Sequence, residues 1–290
     1  SSAMNELDFR TPFIYFLLLV IIALLVIIKR ISVEDPIIHD SKDFIEDSAL
    51  SIEENKTLNK KAENIKGKIV LIIDDFGYRN DEISDGFLNL NIKITCAVIP
   101  GHAHSVSFSN KASEKGFEII VHMPMENSGN NKGEENFVLL RNLDSVTVRK
   151  RIKNAFNQIP LAIGMNNHQG SMATSDLRIM NFVAEVLKEE NKFFIDSRTT
   201  SETVAEKVMQ SWGVPFAHRN VFIDNDPEEE KILSQLEYLA KIAERDGYAI
   251  GIGHVKKSTL EALKIKIPDL ISEGFVFENV SEIISVNSVN

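Results

Sequence analysis

Aspartates and histidines recur in this chain at the ends of apolar runs. Asp74-Asp75 close the run 69–73, His122 closes 117–121, Asn166-Asn167-His168 close 161–165, Asp196-Ser197 close 193–195, and His254 follows 248–252 after one glycine. A single histidine at such a place is usually structural, but three of the seven histidines lie there together with two acid clusters. Aspartate and imidazole without cysteine suit a divalent transition ion such as zinc, and a catalytic site of that kind keeps one position open for water. The ion lowers the pKa of that water from about 15.7 to about 7, and a second carboxylate can serve as general base. Successive side chains of an extended chain point to opposite faces, so Asp74 and Asp75 are expected to divide those two roles. The plainer reading of the pair is a solvated turn in which Gly77 supplies backbone freedom.

Convergence of these residues requires the runs to be neighbouring strands. Apolar stretches rich in β-branched residues suit parallel strands covered on both faces, whose active groups lie at their carboxyl ends. Strands are predicted at 69–73, 93–99, 117–121, 161–165, 193–195, within 214–223, at 248–252 and at 275–277. Helical periodicity falls between them, at 81–90, 105–115, 145–158, 175–190, 201–212, 227–246 and 258–272, with Ser175 as an N-cap and Gly247 as a stop. The alternation predicts an α/β domain on a parallel sheet, either open or closed into a barrel.

Composition narrows the function. The 290 residues are 43% apolar, enough for a sizeable core. A net charge of −10, with no basic run longer than Arg149-Lys150-Arg151, argues against nucleic acid as a partner. The lone cysteine, Cys96, rules out an internal disulfide framework and reads as a buried core residue.

The N-terminal part is different. Ser1, Ser2 and Ala3 precede Met4 and read as a cloning remnant, within a tail over 1–10. Residues 11–28 are uncharged and almost wholly apolar, and as a helix would span roughly 27 Å, close to the hydrocarbon thickness of a bilayer. A transmembrane anchor is predicted there. A cleaved signal peptide is the alternative, but no small-x-small pattern precedes Lys29-Arg30. Arg10 on one side and Lys29-Arg30 on the other weakly favour a cytoplasmic C-terminal part by the positive-inside rule. Residues 29–66 read as an acidic flexible linker, because 34–54 carry eight acids against Lys42.

Beyond the linker the residues carry a resemblance. The segments Val70-Leu71-Ile72-Ile73-Asp74-Asp75-Phe76-Gly77, Val121-His122-Met123-Pro124-Met125-Glu126, Gly164-Met165-Asn166-Asn167-His168-Gln169-Gly170-Ser171, Phe194-Ile195-Asp196-Ser197 and Gly251-Ile252-Gly253-His254 together resemble the divergent polysaccharide deacetylase family. That family is a distant relative of the NodB-like polysaccharide deacetylases. The resemblance covers about 68–284, and its motifs are specific in combination and order. It implies a deformed (β/α) barrel, placed here over 67–285, after the transmembrane helix read from hydropathy and before a short tail over 286–290. The implied activity is metal-dependent removal of N- or O-acetyl groups from a glycan, with zinc as the expected ion. An acetylated envelope polysaccharide is then the expected partner. The expected location is a bacterial-type inner membrane with the catalytic domain periplasmic or extracytoplasmic, against the weak charge signal.

By the same resemblance, Asp74 matches the catalytic base, Asp75 the metal aspartate, His122 the first metal histidine and His254 the late histidine that acts as acid. Where the usual deacetylases carry a second metal histidine four residues after the first, this chain has Glu126. His168 is therefore the expected third ligand, with Glu126 in reserve. The substrate-binding arginine-proline motif of the relatives is replaced by Asn166 to Ser171. These departures support a second reading, a non-catalytic glycan-binding or scaffold protein that retains the barrel. Asn167, Asp196 and Ser197 are expected near substrate or behind Asp74 and His254.

Other patterns are weaker. Asp75-Phe76-Gly77 spells a kinase triplet without a catalytic loop or glycine-rich phosphate cover. Gly251-Ile252-Gly253 lacks the third glycine of a dinucleotide fingerprint. His102 and His104 read as a solvated loop, with rim or substrate contact as the alternative, Met123 and Met125 as wall packing, and Arg219 with Asp224 as a structural ion pair.

Overall fold

The structure, a computed structural model, describes residues 20, 21, 24, 65–129 and 134–287. The chain divides into two units, Ser1–Lys61 and Ala62–Asn290. In the first unit only Val20, Ile21 and Leu24 are described, and they are helical. The rest of the expected anchor, and all of the expected linker except Ile65 and Lys66, lie outside the described residues. Among the described residues no helix is long and apolar enough to cross a membrane.

The second unit is built on a nine-stranded sheet. Its strands are β1 (Gly67–Phe76), β2 (Thr95–Val98), β3 (Glu118–Met125), β4 (Gly164–Gln169), β5 (Phe193–Asp196), β6 (Phe216–His218), β7 (Val221–Phe222), β8 (Tyr248–His254) and β9 (Phe275–Glu278). The helices are α1 (Glu82–Phe87), α2 (Ser105–Glu114), α3 (Ser145–Gln158), α4 (Leu177–Glu189), α5 (Ala205–Trp212), α6 (Glu229–Asp246), α7 (Lys257–Ser272) and α8 (Val280–Asn287). The strand order is β6-β5-β4-β3-β2-β1-β8-β7, and every pairing is parallel.

Strand β1 is the hub. Along one edge it pairs with β8 from Lys68 to Asp74; along the other it meets β9 through Gly67 to Val70, then β2 from Ile72 onward. The two ends of the sheet are neighbours in sequence, because only Arg219 and Asn220 separate β6 from β7. The Asn220 N–H donates to the Ile250 carbonyl at 2.8 Å, and its side-chain oxygen accepts the Ile250 N–H at 2.8 Å. One short stretch thus serves β5 on one side and β8 on the other, and the sheet curls into the deformed barrel. This is why the predicted strand within 214–223 appears as two fragments.

Alternation sorts the strand side chains into two layers. Val70, Ile72, Ala97, Ile120, Ile195, Ala217, Ile250 and Ile252 form one buried cluster, joined by Val280, Ile283 and Ile284 of α8. Ile69, Leu71 and Ile73 belong to a second, larger cluster shared with the helices. Each large apolar side chain so buried contributes roughly 1.5–3 kcal/mol. Helix α8 covers the amino end of the barrel, where the Val280 N–H reaches the Thr95 hydroxyl at 3.2 Å and the Ser281 N–H reaches Glu118 at 3.4 Å. The carboxyl ends are left for the site.

Two local expectations shift. Strands β3 and β4 pair through Met125 and Gln169, so His122 and Asn166-Asn167-His168 lie within strands rather than beyond them. Helix α4 is capped by Asp176, whose carboxylate accepts the Ile179 N–H at 3.0 Å, while the Ser175 hydroxyl turns to the Ser171 carbonyl. Gly247 does end α6, with φ +85°.

A candidate metal centre at the carboxyl ends of the strands

Strand parity aims the site. Asp74 continues the inward series of Val70 and Ile72, His254 that of Ile250 and Ile252, His122 that of Ile120, and Ser197 that of Phe193 and Ile195. Met165 packs in the outer layer, so Asn166 and His168 turn inward with them. Asp75 departs from the pattern. Its φ is +71°, in a region that a non-glycine residue enters only under constraint, and the pairing of β1 with β2 slips register between Ile73 and Phe76. The expectation that the two aspartates face opposite sides fails here, since the chain is not extended at Asp75. Both carboxylates reach the same imidazole, with Asp74 Oδ1 3.6 Å from His122 Nδ1 and Asp75 Oδ1 3.4 Å from His122 Nε2.

Asp75 Oδ1, His122 Nε2 and His168 Nδ1 form a triangle with sides of 3.4, 3.3 and 3.0 Å. Donors about 2.0–2.2 Å from a tetrahedral ion stand roughly 3.3–3.6 Å apart, so the two sides to Asp75 match one face of such a site and the side between the histidines is about 0.3 Å short of it. Asp75 Oδ1 is buried with no hydrogen-bond partner. Two ring nitrogens at 3.0 Å also need a proton or a cation between them. The residues present therefore fit a divalent ion.

Asn166, fully buried, fixes this arrangement from behind. Its side-chain NH2 donates to Asp74 Oδ1 at 2.8 Å and its carbonyl faces His122 Nδ1 at 2.7 Å. An Nδ1–H donated to Asn166 leaves the His122 Nε2 lone pair for a metal. Burial alone would lower the pKa of His122, but Asp74 and Asp75 outweigh it and raise the ring to about 9. The negative charge that does so also favours a dication. Burial raises the Asp74 carboxyl above its ordinary value despite His122 and His254, the direction that makes it a stronger base. Burial opposes the charge on Asp75 too, yet the nearby His122 and His168 rings hold its carboxyl well below the usual carboxylate range.

His254 pairs in register with Asp74 across β8 and β1. Its Nδ1 lies 2.8 Å from Asp224 Oδ1, and Asp224 Oδ2 accepts both the His254 N–H at 2.8 Å and the Thr259 hydroxyl at 2.7 Å. Burial works against a charged ring, but the Asp224 hydrogen bond and charge raise the pKa of His254 above normal. Asp224 is thus the partner of His254, not of Arg219. Arg219 instead donates to the Ser197 and Arg198 carbonyls at 2.6 and 2.8 Å, because the barrel-closing stretch carries it there.

Several expected site residues stand elsewhere. Glu126 is not among the clustered donor atoms. It lies just past β3, where Oε2 accepts the Arg141 N–H at 2.5 Å and Oε1 lies 3.4 Å from the guanidinium. It fastens the return of the loop. Asp196, of outward parity, accepts the Arg198 N–H at 2.8 Å and the Thr203 hydroxyl at 2.7 Å, and so shapes the following turn rather than Asp74 or His254. Asn167 does likewise, donating to the Gln169 carbonyl at 2.7 Å and accepting the Ser197 N–H at 2.8 Å. Only Ser197 keeps a place behind the site, 3.4 Å from the Asn166 NH2.

Glu134 and Tyr78, at the site, carried no sequence signal. Glu134 is 4% exposed, accepts the Tyr78 hydroxyl at 2.5 Å and lies 3.5 Å from His168 Nε2. Burial and Glu134 together keep the Tyr78 phenol protonated. His102, expected in a solvated loop, packs its ring 4.1 Å from that of Tyr78 and sits 3.9 Å from Glu134, in the wall of the site. His104 remains peripheral, its N–H on the Gly77 carbonyl. A separate cavity of about 590 Å³, lined by Pro215, Phe216, His218 and Tyr248 among others, shares no residue with the centre.

A curled parallel barrel with an Asp-His-His cluster, a buried aspartate and an Asp-backed histidine at its carboxyl mouth defines the class of the polysaccharide deacetylase-like proteins. The chain belongs to the divergent polysaccharide deacetylase family, whose profile matches residues 71–284. It is 34% identical to the uncharacterized protein YibQ of Escherichia coli over 206 residues, which are 71% of this chain and 64% of the relative, so the match spans less than two thirds of that protein. An uncharacterized protein of Haemophilus influenzae is 33% identical over 71% of this chain and 72% of its own. In fold, the chain is similar to the crystal structure of an uncharacterized protein of Agrobacterium tumefaciens C58, with a TM-score of 0.71 and 18% identity, covering 77% of this chain and 94% of that one.

Proposed function

We propose that the protein is a zinc-dependent deacetylase acting on an acetylated envelope polysaccharide. The observation that carries this reading is the meeting of three potential metal-donor atoms, on Asp75, His122 and His168, with buried Asp74 beside them and His254 paired across from it. Bound there, the ion would acidify water and polarise the acetyl carbonyl. Asp74, its carboxyl raised by burial and oriented by Asn166, takes the proton from the attacking water at its free oxygen. Asp224 raises the pKa of His254 and so favours its charged form, which can give a proton to the leaving amine or alkoxide. Asp224 and Thr259 keep the ring aimed so that Nδ1 stays committed and Nε2 serves the substrate. The apolar segment at 11–28 supports attachment to a bacterial-type inner membrane, with the barrel on the extracytoplasmic side where such a glycan lies.

The experiment is acetate release from acetylated oligosaccharides by the zinc-supplied chain. Turnover is expected from the wild type, and Asp74→Asn is expected to bind zinc normally and release no acetate. The engagement of Glu126 by Arg141 favours the rival reading, a non-catalytic glycan-binding barrel. That reading gains if the wild type holds zinc, binds oligosaccharide and releases no acetate from N- or O-acetylated substrates.

A further inference from the structure

We propose that Glu134 is a positioning residue for the metal: it sets the tautomer of His168, and Tyr78 holds Glu134 in place. The inference rests on the metal reading above and deepens it. His168 turns Nδ1 toward Asp75 and His122, at 3.3 and 3.0 Å, and Nε2 toward Glu134 Oε1, at 3.5 Å. The two nitrogens of one ring diverge, so Glu134 cannot share an ion with Nδ1. What it can do is take the ring's proton. A neutral imidazole carries one N–H, and an ionised carboxylate only accepts, so Glu134 draws the proton to Nε2 and leaves the Nδ1 lone pair for the metal. Metal-binding histidines generally need such a partner for their second nitrogen.

His122 has the mirror arrangement. It offers Nε2 and commits Nδ1 to Asn166 at 2.7 Å. The two histidines thus present opposite nitrogens, each fixed by a different neighbour. Asn166 comes from the barrel itself, while Glu134 comes from the segment after β3, and that segment is anchored. The Glu134 carbonyl accepts the N–H groups of Phe137 and Val138 at 2.9 Å each, starting a tight turn. Leu139 then bonds to the end of β3 through the Pro124 carbonyl and the Glu126 N–H, and the Glu126 carboxylate grips Arg141. The residue standing where the relatives have a metal histidine therefore helps to deliver a carboxylate to the histidine that replaces it. Tyr78, donating at 2.5 Å to the same Oε1 that lies near His168 Nε2, restrains Glu134 further.

The test is zinc affinity of the full chain, measured by competition with a chromophoric chelator, for the wild type, Glu134→Ala, Glu134→Gln and Tyr78→Phe. Glu134→Ala, which leaves Nε2–H no acceptor, is expected to weaken zinc binding about 10–100-fold. Glu134→Gln retains an acceptor and should recover part of that loss, while Tyr78→Phe should lose less than Glu134→Ala. Thermal unfolding in excess EDTA separates positioning from folding, since a purely structural role lowers the EDTA melting temperature and leaves affinity alone. Wild-type affinity in folded Glu134→Ala and Tyr78→Phe overturns the assignment while the metal reading stands. Failure of the wild type itself to bind zinc overturns both.

Discussion

Asp224 grips His254 at two points, with one carboxylate oxygen 2.8 Å from Nδ1 and the other accepting the backbone N–H of the same residue at 2.8 Å. The ring and the chain that carries it are thus fixed by one fully buried side chain. Because the folded pKa of His254 is raised, the ring keeps its proton to higher pH than a free histidine. As the acid of the reaction it is active below that pKa, so kcat/KM should fall as pH rises through it. Asp224→Asn removes the charge that raises the pKa, and the alkaline limb of the profile should move to lower pH, with kcat lowered as well. An unmoved limb would assign that proton to another group.

The same pair predicts a pH dependence of stability. The contribution from raised His254 is fully present below the unfolded histidine pKa, about 6.5, and is lost as pH rises through the folded value. That from Asp224, whose pKa is lowered, is present above the unfolded carboxylate pKa, about 3.9, and is lost as pH falls through the folded value. In urea unfolding, the deficit of Asp224→Asn should be largest between about pH 4 and pH 6.5 and shrink on either side.

Asn166 ties Asp74 to His122, with bonds of 2.8 and 2.7 Å in a fully buried position. Asn166→Ala leaves both partners buried without it, at a cost of about 1–3 kcal/mol for each group left unsatisfied. Urea unfolding should show the loss even in EDTA, and zinc affinity should fall because His122 Nδ1 has lost its acceptor.

Glu126→Gln separates the clasp from the metal. It removes the charge facing the Arg141 guanidinium and touches none of the donor atoms. Zinc stoichiometry should match the wild type, while hydrogen exchange at the backbone amides of Leu139 and Arg141 should quicken as the return of the loop loosens. Loss of zinc from this variant would restore Glu126 as a ligand.

Gly77 follows the aspartate pair with φ +112°, and an added Cβ would stand 3.0 Å from both the Ile99 carbonyl and the Ser105 hydroxyl. Gly77→Ala should therefore destabilise the fold by more than about 1 kcal/mol, read as a lowered urea midpoint with an unchanged slope.

Much of this was legible in the residues. The apolar runs marked β1, β3, β5 and β8, and the groups closing them marked the mouth of the barrel. Parity within those runs distinguishes Ser197, on the inward series of Phe193 and Ile195, from Asp196, and it marks Asn166 as facing inward. The bulge at Asp75 was not legible, because a positive φ at an aspartate is forced by the pairing of β1 with β2 and leaves no trace in residue type. Asp224 was visible as a charge, but its partner depends on how the stretch between β6 and β7 closes the barrel. Glu134 lies in a polar loop without periodicity, and only the folded return of the chain to β3 brings it to His168.

The central claim is that Asp75, His122 and His168 hold one divalent ion. It is tested most directly by elemental analysis of the chain after zinc loading and gel filtration. About one zinc per wild-type chain, with none retained by Asp75→Ala or His122→Ala, is the predicted result. A folded wild-type chain that emerges without zinc, or an Asp75→Ala variant that retains it, would contradict the account.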